Sequence, residues 1–531
     1  LVLQTQSCKW SLEIAALRSG ASDPIGLRRS RFDRCMTDMP ARIGWHQTEF
    51  VCSTFQLKPM PQLNDLMSWS VMDLSAEIHS RRLSPVDVVD AFLARIAKYD
   101  GKLHAFTEVY AEDARLAAQA ADKAIRSGHA LGPLHGIPIA LKDLIEIEGR
   151  TVTDGCGVWR NRKSERTATL VRRLTAQGMI VLGKTQMVEF AFGGWGTNQR
   201  MGTPWNPWDR QLARTPGGSS SGSGVAVAAG LAPWAVGSDT GGSVRLPASW
   251  CGLTALKTSA GRISNYGVLP LSRTLDTPGP MARSVEDTAV LYEAMQGPDP
   301  LDRATLGLPA GHGLRSLRRG VAGLRLARMP DRERAGVAPA VLAAYDKALD
   351  EFARLGADIC TLTLPCAFAD LAALNGRIMS AEGYAVFADM VDDEALPLDE
   401  DVRPRLRAGR DISARAYLSA LAERERLGRT FADALAEVDA LLTPTTLTTA
   451  LPLDAVDQKS TPAHFTRFAN LLDLCALALP NGFDQQGLPT SLQIIGQRCD
   501  EETVLRIGWA YQNATEWHTR RPPEPDHLTP N

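Results

Sequence analysis

Thr215 to Gly224 reads Thr-Pro-Gly-Gly-Ser-Ser-Ser-Gly-Ser-Gly, and Val225 to Gly230 continues it at once as small apolar residues. A run of that composition is either a flexible linker or a loop folded tightly around a ligand. A linker separates packed bodies, whereas this run feeds straight into a core-like segment. A phosphate-cradling loop would need Gly-Lys-Ser/Thr to follow, and none does. The dinucleotide pattern G-x-G-x-x-G fails because Val227 stands at the third glycine. Gly218 to Gly222 formally matches G-x-S-x-G, with Ser220 at the nucleophile position. That elbow needs an apolar strand in front of it, and Trp208 to Pro216 is polar. On these residues alone, linker and ligand loop both stay open.

A second segment, Gly237-Ser238-Asp239-Thr240-Gly241-Gly242-Ser243-Val244-Arg245, follows an apolar strand-like run. Two glycines before a serine let the backbone turn so that successive N–H groups point one way. An oxyanion hole requires that arrangement, and a plain Gly-rich turn would read the same. A serine nucleophile needs a base. A Ser-His-Asp set is the default, but a buried neutral lysine also serves. Lys142 is the best candidate, because it ends the apolar run Ile137 to Leu141. A lone lysine there would otherwise be ion-paired or snorkelling.

The surrounding pattern alternates helix and strand, which argues for an α/β domain. Regular structure becomes legible near Asp73. Ser84-Pro85-Val86-Asp87 reads as a capping box with Pro at the first helical position. Helices are expected over 111–127, 164–178 and 339–355, and after Ser284 and Asp500. Short buried strands are expected at 137–141, 180–182, 324–329 and 440–442, with a hairpin at 484–487. Residues 375–430 read as helical, charged and free of motifs. Beyond Arg520 the Pro-rich end reads as frayed.

Composition narrows the function classes. Lys and Arg number 58 against 60 Asp and Glu, a formal charge of −2, so no basic surface for nucleic acid is expected. The apolar run from Val225 to Gly237 is broken by Pro233 and is too short to span a bilayer, so no membrane segment is expected. The nine cysteines are scattered, without C-x-x-C or zinc spacing. They read as reduced thiols in a cytoplasmic protein, with no metal and no organic cofactor. Residues 1–66 read as a leader or extension of unknown role, with Met60, Met67 and Met72 as alternative starts. One main domain is expected over 67–525 and a tail over 526–531.

Together these pieces closely resemble the amidase signature family of serine hydrolases. The matching text is Gly136 to Asp143, Gly217-Gly218-Ser219-Ser220, and Gly237 to Arg245 with Pro247. Asn206 to Asp209, Leu442 to Thr445, Gly487-Leu488-Pro489 and Leu492-Gln493 also fit, so the resemblance covers about 70–522. It implies one α/β domain with a central mixed β-sheet covered by helices on both faces. It implies Ser243 as nucleophile, Ser219 as proton bridge after a cis Gly218–Ser219 bond, and Lys142 as base. Backbone N–H groups of Thr240, Gly241, Gly242 and Ser243 would form the oxyanion hole, with Asp239 and Arg245 supporting the loop. Phe192, Trp195 and Asn198 would line the acyl pocket. A neutral Lys142 near pH 7 requires a pKa drop of three units, about 4 kcal/mol.

Two departures stand out: Ser221 replaces a glycine, and Thr258-Ser259 stands where relatives often carry a proline. The implied activity is hydrolysis of amide C–N bonds in a small-molecule substrate, with aryl amides, esters and carbamates (as in urethanase-like bacterial members) as substrate classes. The alternatives are the glutaminase subunit of a tRNA-dependent amidotransferase and a non-catalytic scaffold subunit. Oligomeric state is not legible.

Overall fold

The computed structural model describes Leu66 and residues 69–527. The expected leader, apart from Leu66, and tail residues 528–531 lie outside the described residues. The strands are β1 (Phe106–Val109), β2 (Pro138–Lys142), β3 (Ile180–Thr185), β4 (Ala235–Asp239), β5 (Thr254–Lys257) and β6 (Thr277–Ala282). They continue with β7 (Arg325–Arg328), β8 (Asp358–Thr361), β9 (Ala440–Pro444), β10 (Cys475–Phe483) and β11 (Pro489–Gly496). All eleven join one sheet in the order β1-β3-β2-β4-β6-β5-β10-β11-β9-β7-β8.

The sheet is mixed, as expected. β3, β2 and β4 run parallel, as do β8, β7 and β9, while the middle of the sheet is antiparallel. Successive strand residues point to opposite faces, so a strand buried at every position is covered on both sides. β2, β4, β9 and β11 are buried throughout. The covering helices include Ser221–Ala228, Arg245–Cys251, Val285–Met295, Pro339–Arg354 and Glu501–Ala514.

The glycine-serine run is not a linker. Its second half is the helix Ser221–Ala228, buried at every residue. That packing needs small side chains. A Cβ on Gly222 would lie 2.3 Å from the carbonyl oxygen of Ala105. The Ser221 hydroxyl is buried there without a hydrogen-bond partner. Ser259 has a positive role: its N–H donates to Glu501 at 2.8 Å, which a proline could not do.

Ser84 caps the helix Pro85–Leu103 by accepting from the Val86 N–H, and Pro85 takes the first turn. The region 375–430 is helical as expected, within Phe368–Val391, Val402–Arg407 and Ala414–Leu435. The end of the chain differs from expectation. Glu524 pairs with Arg95 at 3.0 Å and Asp526 with Lys98 at 2.8 Å, tying the segment beyond Arg520 to the helix Pro85–Leu103. The cysteines among the described residues are free. No helix among the described residues is long and apolar enough to cross a membrane.

Candidate active site

The parallel strands β2 and β4 end side by side, and a site in an open α/β sheet collects at such carboxyl ends. Lys142 closes β2 and has no solvent exposure. Its Nζ donates to Ser219 Oγ at 2.6 Å and to Ser238 Oγ at 2.8 Å. No carboxylate touches it. Burial lowers its pKa to about 7, against the upward pull of Asp154, Asp276 and Asp239. The amine is therefore half neutral near pH 7, as a general base must be.

Ser219 is fully buried and follows a cis Gly218–Ser219 peptide bond. Ser243 sits beside it through the backbone, with the Ser220 N–H donating to the Ser243 carbonyl at 3.2 Å. The Ser219 and Ser243 hydroxyls share no direct hydrogen bond. Ser243 is 8% exposed and opens into a cavity of about 310 Å³.

The loop bearing Ser243 is fixed by a buried ion pair. Arg245 donates to both carboxylate oxygens of Asp239, at 3.0 and 2.9 Å, and neither residue is exposed. Arg245 also reaches Gln493 Oε1 at 2.7 Å, Asn470 Oδ1 at 2.7 Å and the Thr466 carbonyl at 2.9 Å. Burial would push the Asp239 carboxyl up. The Arg245 guanidinium, with hydrogen bonds from Asn470 and the Val244 N–H, holds it well below the usual range instead. Two charges buried without water need partners of this kind.

Not every N–H of the expected oxyanion hole is free. That of Gly242 donates to Asp239 at 2.7 Å. Those of Thr240, Gly241 and Ser243 donate to nothing among the described residues. Gly242 has another duty: its φ is +134°, and a Cβ there would lie 2.3 Å from Thr466 Oγ1. Thr240 is anchored by its side chain, which donates to Asp276 at 2.6 Å. Burial raises Asp276 to about 6, against that bond and the N–H groups of Ser272 and Leu271.

Of the expected pocket residues, Phe192 and Trp195 line the cavity with Ser243. Trp195 stacks on Trp250 with ring centroids 5.4 Å apart. Asn198 does not line the cavity. Its amide donates to the Gly155 and Met187 carbonyls, both at 2.8 Å, and its oxygen accepts from Arg200 and Met201, so it folds the loop instead. Sequence reasoning missed Ser238 on Lys142, although it lies inside the quoted Gly237–Arg245 text. It also missed Arg405, Arg467 and Asn375, which lie in segments without any motif.

The Amidase family model matches residues 87–505. In Roseiflexus castenholzii, the A subunit of glutamyl-tRNA(Gln) amidotransferase is 37% identical over 466 residues, covering 83% of this chain and 94% of that protein. A solved structure described as a vestigial protein complex, informative on the origins of an s-triazine catabolic enzyme, superposes with a TM-score of 0.79. Its identity is 32%, and the match covers 84% of this chain and 98% of that one. The native peptide amidase of Stenotrophomonas maltophilia superposes with a TM-score of 0.75 at 30% identity, covering 88% and 100%. With a family match over most of its length and the matching sheet and motifs, this chain belongs to the amidase signature family, whose members hydrolyse C–N bonds.

Proposed function

We propose that the chain hydrolyses carboxamides through an acyl-enzyme on Ser243. The observation that carries this reading is the Lys142 amine, fully buried, near neutrality at pH 7 and bonded only to hydroxyls. Neutral Lys142 takes the Ser219 proton, Ser219 takes that of Ser243, and Ser243 Oγ bonds to the carbonyl carbon. The free N–H groups of Thr240, Gly241 and Ser243 receive the oxyanion. Collapse breaks the C–N bond while the relay returns the proton to the leaving nitrogen. Water then repeats the sequence and releases the acid. Asp239 and Arg245 act as positioning residues for the loop, and Phe192 and Trp195 flank the acyl group.

Two settings have support. The amidotransferase relatives, matched over nearly their whole length, support a glutaminase that works with partner proteins. The cavity supports a stand-alone amidase, because among the described residues no Asp or Glu lines it to receive the ammonium of glutamine. The intact Lys142, Ser219 and Ser243 set speaks against a scaffold. The test is hydrolysis by the purified chain of an anilide, an aryl carbamate, an ester and glutamine, each paired with Ser243→Ala. Cleavage by wild type and not by the variant is expected. Glutamine alone, cleaved weakly, would favour the amidotransferase setting. Wild-type cleavage that persists in Ser243→Ala would overturn the nucleophile assignment.

A further inference from the structure

One wall of the cavity comes from chain that carries no motif. Gly376, Met379 and Ser380 form part of it, and Arg405, Lys459 and Arg467 bring three cations to a lining without a carboxylate. Arg405 is committed to the fold. It donates to the Phe192 carbonyl at 3.0 Å, the Gln458 carbonyl at 2.6 Å and Gln458 Oε1 at 2.9 Å.

Arg467 is not so committed. The one hydrogen bond of its side chain among the described residues runs from Nη1 to the Ala372 carbonyl at 3.3 Å, and it pairs with no carboxylate among them. Burial and the nearby Arg405 charge lower its pKa to about 10, so it remains a cation at neutral pH. Its side chain crosses the nucleophile loop. A Cβ on Gly241 would lie 3.2 Å from Arg467 Cγ, 3.7 Å from Nε and 3.4 Å from Asn375 Oδ1. That Asn375 oxygen is buried and accepts no hydrogen bond, while its amide donates to the Thr240 carbonyl at 3.4 Å. An unpaired guanidinium thus stands beside the loop that presents Ser243. A half-buried cation without a partner is costly, and an arriving planar anion offsets that cost through paired N–H donors.

We propose that Arg467 is a specificity-determining residue that selects amides whose acyl group ends in a carboxylate, the monoamides of dicarboxylic acids. The same lining disfavours a zwitterion, because an ammonium would meet cations only. This inference rests on Ser243 hydrolysing carboxamides.

The test compares pentanamide, glutaramate and glutamine, which share a chain length and differ in charge. Steady-state kinetics are measured for wild type, Arg467→Met and Arg467→Lys. Wild type is expected to favour glutaramate over pentanamide by about 10–100-fold in kcat/KM, mostly through KM. Glutamine is expected to fall below glutaramate. Arg467→Met removes the preference for glutaramate over pentanamide, and Arg467→Lys keeps part of it. The wild-type KM for glutaramate, and not for pentanamide, rises with ionic strength, which gives a readout independent of any variant. Amide cleavage without preference for the anion, or an equal loss on all three amides in Arg467→Met, overturns the proposal alone. Failure to cleave any of the three by a chain that cleaves the anilide, the carbamate or the ester overturns the proposal alone, and failure on every one of these substrates overturns the hydrolase reading with it.

Discussion

Lys142 and Lys184 stand on neighbouring parallel strands, where Lys142 pairs with Thr185 and Leu141 with Lys184. Both are fully buried, and burial lowers the pKa of both. What differs is the company of the amine. Lys184 donates to the Ile145 carbonyl at 2.5 Å and lies 3.6 Å from Asp143, so its charge is answered. Lys142 meets only the hydroxyls of Ser219 and Ser238. Asp143, adjacent to Lys142 in sequence, turns to Lys184 and leaves Lys142 without a contacting anion. Burial lowers both amines, and the contacting carboxylate of Asp143 sets Lys184 apart from Lys142.

The largest effect separating the two is catalytic. Lys142→Ala should lower kcat by about a thousandfold, as measured by amide hydrolysis, with the native circular dichroism spectrum retained. Lys184→Met should act on stability instead. It strands the buried Asp143 carboxylate and should cost about 3–5 kcal/mol in denaturant unfolding. A comparable loss of kcat in folded Lys184→Met would break the distinction.

The pH dependence is a smaller test. kcat/KM should fall about tenfold per unit below pH 7, as Lys142 gains its proton. The same residue affects stability. Its folded pKa of about 7 lies below the unfolded value of about 10.4, so between them the unfolded chain binds more protons. The Lys142 contribution is therefore unfavourable below pH 7 and eases as pH rises toward about 10. Unfolding of Lys142→Met should lack that slope. The smallest effect belongs to Ser238→Ala. Losing one hydroxyl that stabilises the ammonium should move the acid limb down by less than about one unit, with kcat reduced about threefold to tenfold.

How much of this was legible in the sequence depends on the local pattern. β2, β3 and β9 announce themselves as short apolar runs, and the candidate residues Ser219 and Ser243 sit in Gly-rich text that little else explains. β6 is illegible because Thr277-Pro278-Gly279-Pro280 argues against a strand, yet it pairs along β4 and reaches β5 only near Ala282. The apolar run from Val225 to Gly237, which Pro233 breaks, falls in the fold into the helix Ser221–Ala228 and β4, on either side of the break. Asn198 carries a plausible pocket position and no sign that its amide is needed by the backbone. Arg467 is one arginine among many, and only the fold brings it to Gly241.

The Asp239–Arg245 pair has a temporal meaning as well. Arg245 is held by Asn470 and Gln493, which lie 225 and 248 residues further along the chain. During synthesis the Gly237–Arg245 loop leaves the ribosome long before those partners exist. Its arginine then stays hydrated, and the nucleophile loop is not yet locked. The hydrogen bonds that hold Arg245 in the fold need a chain that extends through Gln493 in β11. The loop that carries Ser243 is thus secured by residues made long after it.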